Sequence, residues 1–217
     1  MENDVKEFLS ELLKQLKSID YIKPEDIPNI DLYMDQVTTF MDEQLAASKR
    51  YESDKILTKT MINNYAKNNL LPSPDKKKYS KEHVLTLLFI YYFKNILSIN
   101  DIRSILNPLT EKYFGNDDGF TMQDVYTEVF SLEAEESQKL LKDLGKKYKI
   151  AGETFEDFPD EDQKFLHTFS FICMLSFDVY IKKMLIERMI DNLNEKKEAS
   201  SHENTHSGKE SKKTGSN

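Results

Sequence analysis

Thr58-Lys-Thr-Met-Ile-Asn-Asn-Tyr-Ala-Lys-Asn-Asn-Leu-Leu-Pro-Ser-Pro-Asp-Lys-Lys-Lys-Tyr79 is the stretch that decides how this chain is read. Met61, Ile62, Tyr65 and Ala66 share one side of a helical wheel, and Lys59, Thr60, Asn63, Asn64 and Lys67 share the other. That spacing predicts a short amphipathic helix over Lys59–Asn68. Thr58 is the expected N-cap, because its hydroxyl oxygen can accept from an early backbone N–H. Asn68-Asn69 is the expected end, because asparagine tolerates the left-handed conformation of a C-terminal cap. Pro72 and Pro74 forbid a continuing helix, so Leu70–Tyr79 reads as a short extended excursion with a tip of Lys76, Lys77 and Lys78.

Upstream, Asp31 is placed to cap a helix to about Ala47 carrying Leu32, Tyr33, Val37, Phe40, Met41 and Leu45. Pro24 and Pro28 break the chain before it, and Ser48–Lys55 is a polar connector after it. Val5, Phe8, Leu9, Leu12, Leu13 and Leu16 predict a one-sided helix over about 3–19. Downstream, Val84–Phe93 is nearly all apolar. Alone it would suit a buried strand, but Ser80 before it and its continuation to Leu97 favour a buried helix; a membrane span needs about 20 residues.

Ser98 and Asp101 form a capping box for a helix through Leu106, before Pro108. Gly115–Gly119 reads as a turn, and Thr121 with Asp124 starts a further helix. A charged helix is expected over 133–148, a loop over 150–159, and a long helix over 160–194. Within the last, Phe165–Ile181 is apolar on nearly all sides, interrupted by His167, Ser170, Ser176 and Asp178, and is expected as a core or dimer-interface helix. Residues 195–217 hold no large apolar side chain and are expected as a disordered tail.

The composition supports this helical reading. Thirteen Phe and 11 Tyr need a core, while six Gly and six Pro are too few for the turns of a β-sandwich or barrel. One cysteine, Cys173, excludes a disulfide framework and a cysteine-based zinc finger. The net charge is −8, yet residues 55–81 hold seven Lys and one acid, Asp75; that window carries +6 and leaves −14 elsewhere. A concentrated basic face inside an acidic protein can be the footprint of an anionic partner, and on composition alone an ordinary solvated lysine face accounts for it equally well.

Signals of catalysis are poor. The four His are scattered over 83, 167, 202 and 206, and no nucleotide-binding, zinc-protease or nucleophile-elbow motif occurs. Asn116-Asp117-Asp118-Gly119 lacks calcium-loop spacing, since Phe120 stands among the ligand positions. Cys173, in an apolar stretch without a cation nearby, is expected as an inert buried thiol. No enzyme, cofactor or metal is expected. The acidic start, Met1-Glu-Asn-Asp-Val, lacks the basic region of a secretory signal, which suggests a cytoplasmic protein.

Asn63-Asn64-Tyr65-Ala66-Lys67-Asn68-Asn69-Leu70-Leu71-Pro72 resembles T-L-R-Y-Y-E-x-x-G-L-L-P of MerR-type winged helix-turn-helix regulators. Tyr79-Ser80-x-Glu82-x-Val84 resembles their Y-x-x-E-D-L, and Leu97–Ile102 their G-F-S-L-E-E-I, in the same order. I-D-L-Y-M-D-Q-V-T-T-F at 30–40, I-L-T-K-T-M-I-N-N-Y at 56–65 and K-K-Y-S-K-E-H-V at 77–84 are similar to a bacterial family catalogued as domain of unknown function 1836. The resemblance covers about residues 20–150.

It implies an all-α fold with a minimal β wing: an N-terminal helix at 1–19, a MerR-like winged helix-turn-helix domain at 20–110, a helical dimerisation or effector region at 111–194 and the tail at 195–217. The implied function is transcription regulation through double-stranded DNA. Lys59, Thr60 and Asn63 would face the major groove, with Thr58 and Asn64 on the same helix. Lys67, Lys76, Lys77 and Lys78 would contact phosphates, and Tyr79 would pack the wing against the next helix. A homodimer through 120–194 is the further implication. Asn63 replaces the family's Arg, which removes a bidentate phosphate donor. Asn64 replaces a Tyr, Asn69 replaces the Gly, and the wing lacks G-Y-R. These departures leave a second reading open: a protein-interaction module on a winged-helix scaffold that no longer binds DNA. Membrane docking through Phe165–Ile181 is a third, with no stable insertion expected because Asp178 costs a few kcal/mol in a bilayer.

Overall fold

The structure, a computed structural model, describes residues 11, 21–116 and 119–210. The helix expected over 3–19 lies, apart from Glu11, outside these residues. The elements in order are β1 (Leu32–Tyr33), α1 (Met34–Gln44), α2 (Lys59–Lys67), β2 (Lys78–Tyr79), α3 (Lys81–Phe93), α4 (Ile99–Tyr113), α5 (Met122–Ser131), α6 (Glu133–Gly152) and α7 (Asp160–Glu210). The fold is mostly helical, as the composition requires.

The centre is α3, a helix rather than a strand. From His83 to Tyr91 every residue is buried, so the helix has no solvent side. It packs against β2, α4 and α5, and Phe89 stacks edge-on to Tyr126 at 5.5 Å. Tyr126, fully buried, donates its hydroxyl to the Ile22 carbonyl at 2.9 Å, tying the start of the described chain to α5. Such a buried hydroxyl needs a partner, and the backbone carbonyl supplies it.

Three of the boundaries that differ from the sequence reading have a local or tertiary cause in view. Asp31 does not cap α1: Leu32 and Tyr33 pair antiparallel with Tyr79 and Lys78, so the helix starts two residues later. Tyr33 is the N-cap, its N–H donating to Gln36 Oε1 at 2.8 Å. α3 stops at Phe93 rather than Leu97, and the Ile96 N–H turns back to the Phe93 carbonyl three residues earlier, tighter than an α-helical bond. The third is Pro108, which lies inside α4 instead of ending it. A mid-helix proline removes a bond to the carbonyl four residues earlier. That carbonyl belongs to Ser104, and the Lys197 ammonium donates to it at 3.0 Å. Distant chain thus supplies the missing donor.

α6 and α7 form a hairpin with its own small core of Leu144, Ala151 and Phe171, with Tyr148 edge-on to Phe171 at 5.2 Å. Lys147 bridges Asp143 and Asp178 across the hairpin, so the Asp178 that interrupts the apolar run has a cation facing it. Further along, α7 leaves α6 and lays Ile190 into the main core against α4. The opposite side of its first half is open: Phe165 is 70%, Phe169 51% and Tyr180 61% exposed. Cys173 is exposed as well, not buried as expected, because it lies on that open side. α7 remains helical to Glu210, reaching into the segment read as a tail.

Candidate nucleic-acid interface

α2 forms where the cap and spacing place it. Thr58 Oγ1 accepts from the Met61 N–H at 3.2 Å, and Ile62 and Tyr65 bury the inner face. The C-terminal end is a Schellman motif. Asn69 has φ 56°, its N–H donates to the Ala66 carbonyl at 3.2 Å, and the Leu70 N–H donates to the Tyr65 carbonyl at 2.9 Å. Leu70 and Tyr65 are both buried, fixing the exit angle of the chain. Lys59, Thr60, Asn63, Asn64 and Lys67 are all exposed along the outer face. Thr58 is half-buried and its hydroxyl serves the cap.

The excursion after α2 ends in a tight lysine turn. Lys76 and Lys77 have φ of 47° and 64°, and the Lys78 N–H donates to the Asp75 carbonyl at 2.8 Å. Two successive positive φ values closed by this bond are those of a type I′ turn, whose central positions favour Gly, Asn and Asp. A left-handed lysine costs about 1–2 kcal/mol. Here that conformation throws both ammonium groups outward; Lys76 and Lys77 are exposed and Lys78 is half-buried.

The turn is anchored from beneath. Lys78 sits over the Tyr33 ring at 5.5 Å, and Tyr79 is buried edge-on to His83 at 5.5 Å. Burial raises the Tyr79 and Tyr65 phenols above their usual range, so both are neutral. His83 Nδ1 accepts from the Ser80 N–H at 3.0 Å, completing a capping box for α3 in which histidine replaces the usual Glu or Gln. Its Nε2 is buried without a hydrogen-bond partner among the described residues. Burial pushes this histidine below its usual range, although the Ser73 and Pro72 carbonyls and Asp31 favour the protonated ring.

Residues 33–35 join the two basic features. Tyr33 lies under Lys78, and two residues on Asp35 pairs with Lys59 at the start of α2. Sequence reasoning did not find Asp35, because the packing of α1 against α2, elements distant in sequence, brings it there. It offsets part of the Lys59 charge. Beside it a cavity of about 410 Å³ is lined by Thr38, Asp42, Glu43, Lys55 and Lys59 among others. Asp42 is held below the usual carboxylate range by its bond from Lys49 at 2.7 Å, despite an opposing desolvation. On the far side of the connector, Lys94 donates to the Ile56 carbonyl at 2.7 Å and covers the Tyr91 ring at 4.8 Å. Burial lowers this lysine from its usual range. The bond fixes the chain leading into α2 against α3.

None of the described helices is long and apolar enough to cross a membrane. Compared with known proteins, the chain matches no curated protein and no solved structure. A family match does exist, and it runs from Ile22 in the main core to Val129 in α5. Residues 22–129, with α2 and the lysine turn between them, match the model of the family described as domain of unknown function DUF1836.

Proposed function

We propose that residues 20–110 are a MerR-like winged helix-turn-helix, and that the protein is a cytoplasmic, non-enzymatic transcription regulator binding double-stranded DNA as a dimer. The observation that carries this reading is the lysine turn: two lysines held at positive φ where smaller residues cost less. Backbone strain of that kind persists at functional sites, and an exposed pair of ammonium groups suits phosphates. The outer face of α2 adds side chains able to read base edges, Thr60, Asn63 and Asn64, between Lys59 and Lys67. Tyr33 and Asp35 link turn and helix on the side where a duplex would lie.

Fluorescence anisotropy on random-sequence and own-promoter duplexes, across a salt series, tests it. Affinity should fall steeply with salt and be tighter on the promoter. Replacing Lys76, Lys77 and Lys78 by Ala should weaken binding to every sequence and reduce the log–log slope by about 0.9 for each phosphate left unneutralised. Asn63→Ala should change sequence preference instead. Full affinity and slope in the triple variant would remove the turn from the interface.

A second reading, a protein-interaction module without DNA affinity, draws on Asp35, Asp42 and Glu43 beside the start of α2. These acids repel phosphate and suit a partner with its own cations. Folded protein that binds no duplex even at low salt would favour it.

A further inference from the structure

The hairpin of α6 and α7 closes along two lines of residues. On α6 the line runs Leu140, Leu144, Lys147, Ala151; on α7 it runs Phe171, Asp178, Leu185, Met189. Spacings of four, three and four, and of seven, seven and four, keep each set on one side of its helix. Leu144, Ala151 and Phe171 are buried together, and Lys147 meets Asp178. Beyond them the same two lines lie open: Leu140 is 41%, Leu185 57% and Met189 58% exposed. The helices part there, because Ile190 joins the main core and α7 continues against α4. A wedge-shaped apolar gap is left between them.

The hairpin also fixes where the gap is widest. Tyr148 faces Phe171 and Lys147 faces Asp178, so the antiparallel pairing carried back along α6 brings Leu140 level with Leu185. It brings Leu132, at the start of α6, level with Met189 and Leu193, and both Leu132 and Leu193 are exposed. The described chain begins beside this wide end, where Tyr21 stacks on Phe130 at 5.6 Å, two residues before Leu132. The segment before Tyr21 carries Val5, Phe8, Leu9, Leu12, Leu13 and Leu16 on one helical line. As a helix, Leu9 to Leu16 spans about 11 Å, and Leu185 to Leu193 spans about 12 Å. A helix of that length is marginal in water unless its apolar side finds a surface. Its attachment at Tyr21 holds it near this gap at an effective concentration on the order of millimolar.

We propose that residues 3–19 dock into the gap between the start of α6 and the second half of α7, antiparallel to α6. Leu16 lies toward Leu132 and Met189, and Leu9 toward Leu140. The occupant is the chain's own N-terminal segment, since its apolar line has the length of the gap and its tether ends at the gap's mouth. Docked there, it closes the open end of the hairpin and joins the first part of the chain to the last. The inference uses none of the DNA contacts above.

The full chain tests it with no DNA present, so neither outcome bears on duplex binding. A Leu13→Cys, Leu185→Cys, Cys173→Ser variant should cross-link within one chain under a short bis-maleimide. Leu13→Cys, Phe169→Cys, Cys173→Ser should not, because Phe169 lies on the side of α7 away from α6. Leu12→Asp and Met189→Asp should each lower the melting temperature by about 3–6 °C. The double variant should melt near the lower of the two, because either change alone already breaks the shared contact. Additive losses, or no cross-link in the Leu185→Cys variant, overturn the proposal. Equal cross-linking of both cysteine pairs overturns it too, as does a product that joins only separate chains.

Discussion

Residues 84–93 and 165–181 look alike as sequence, each apolar on nearly every side of a helix, and the fold treats them differently. α3 is enclosed by β2, α4 and α5, and its residues from His83 to Tyr91 are buried. The first half of α7 has α6 on one side and solvent on the other, with Ile172 54% exposed. Apolar content therefore measures how much surface a helix must hide, and the elements around it decide whether its own chain hides it. α3 sits mid-chain, with elements before and after it to surround it. The first half of α7 packs on α6, and its other side stays open.

The largest expected effect tests this contrast directly. Leu88 is fully buried, and Leu88→Ala should cost about 2–5 kcal/mol in urea unfolding. Ile172→Ala, measured where the chain is monomeric, should stay within about 0.5 kcal/mol, as surface changes do. Equal costs at the two positions would break the comparison.

The next effect is pH dependence, and it belongs to α3. His83 is held below its usual range by burial, so the unfolded chain takes up its proton first. The stability it contributes is intact above the unfolded value, near pH 6.5, and is lost as pH falls through the lower folded value. His83→Gln, which keeps a side-chain acceptor in the capping box, should flatten the stability profile on the acid side of neutrality. An unchanged profile would mean that this histidine titrates alike in the folded and unfolded chain. Amide exchange in α3, and not in the open half of α7, should follow the same titration.

The smallest effect lies at the surface. Lys77→Gly should raise stability by about 0.5 kcal/mol, since glycine adopts positive φ without strain and gives back part of that gain in chain entropy. The same change should weaken DNA binding if the turn serves there. A stability gain with unaltered affinity would separate the strain from the function.

Much of the 58–79 segment was legible in the sequence because its determinants are local. Thr58, Asn69 and Ser80 act within a few residues of themselves, and each takes the position its chemistry implies. The same holds for Ser98 with Asp101 and for Thr121 with Asp124. Three of the misses involve distant partners. Asp31 yielded the cap of α1 because residues 32–33 pair with 78–79. Pro108 stays helical with Lys197 donating to the carbonyl that the proline leaves. Cys173 is open because α6 takes the opposite side of α7.

Periodicity, caps and turn residues act over short spans of chain, so the order of amino acids alone dictates a helical protein with a capped, lysine-bearing segment at 58–79. Tertiary packing alone settles which apolar helix lies inside, where Asp35 meets Lys59, and which face of α7 stays open. Those outcomes depend on which surfaces meet, and hydrophobic burial is non-directional: it rewards any apolar contact and names none.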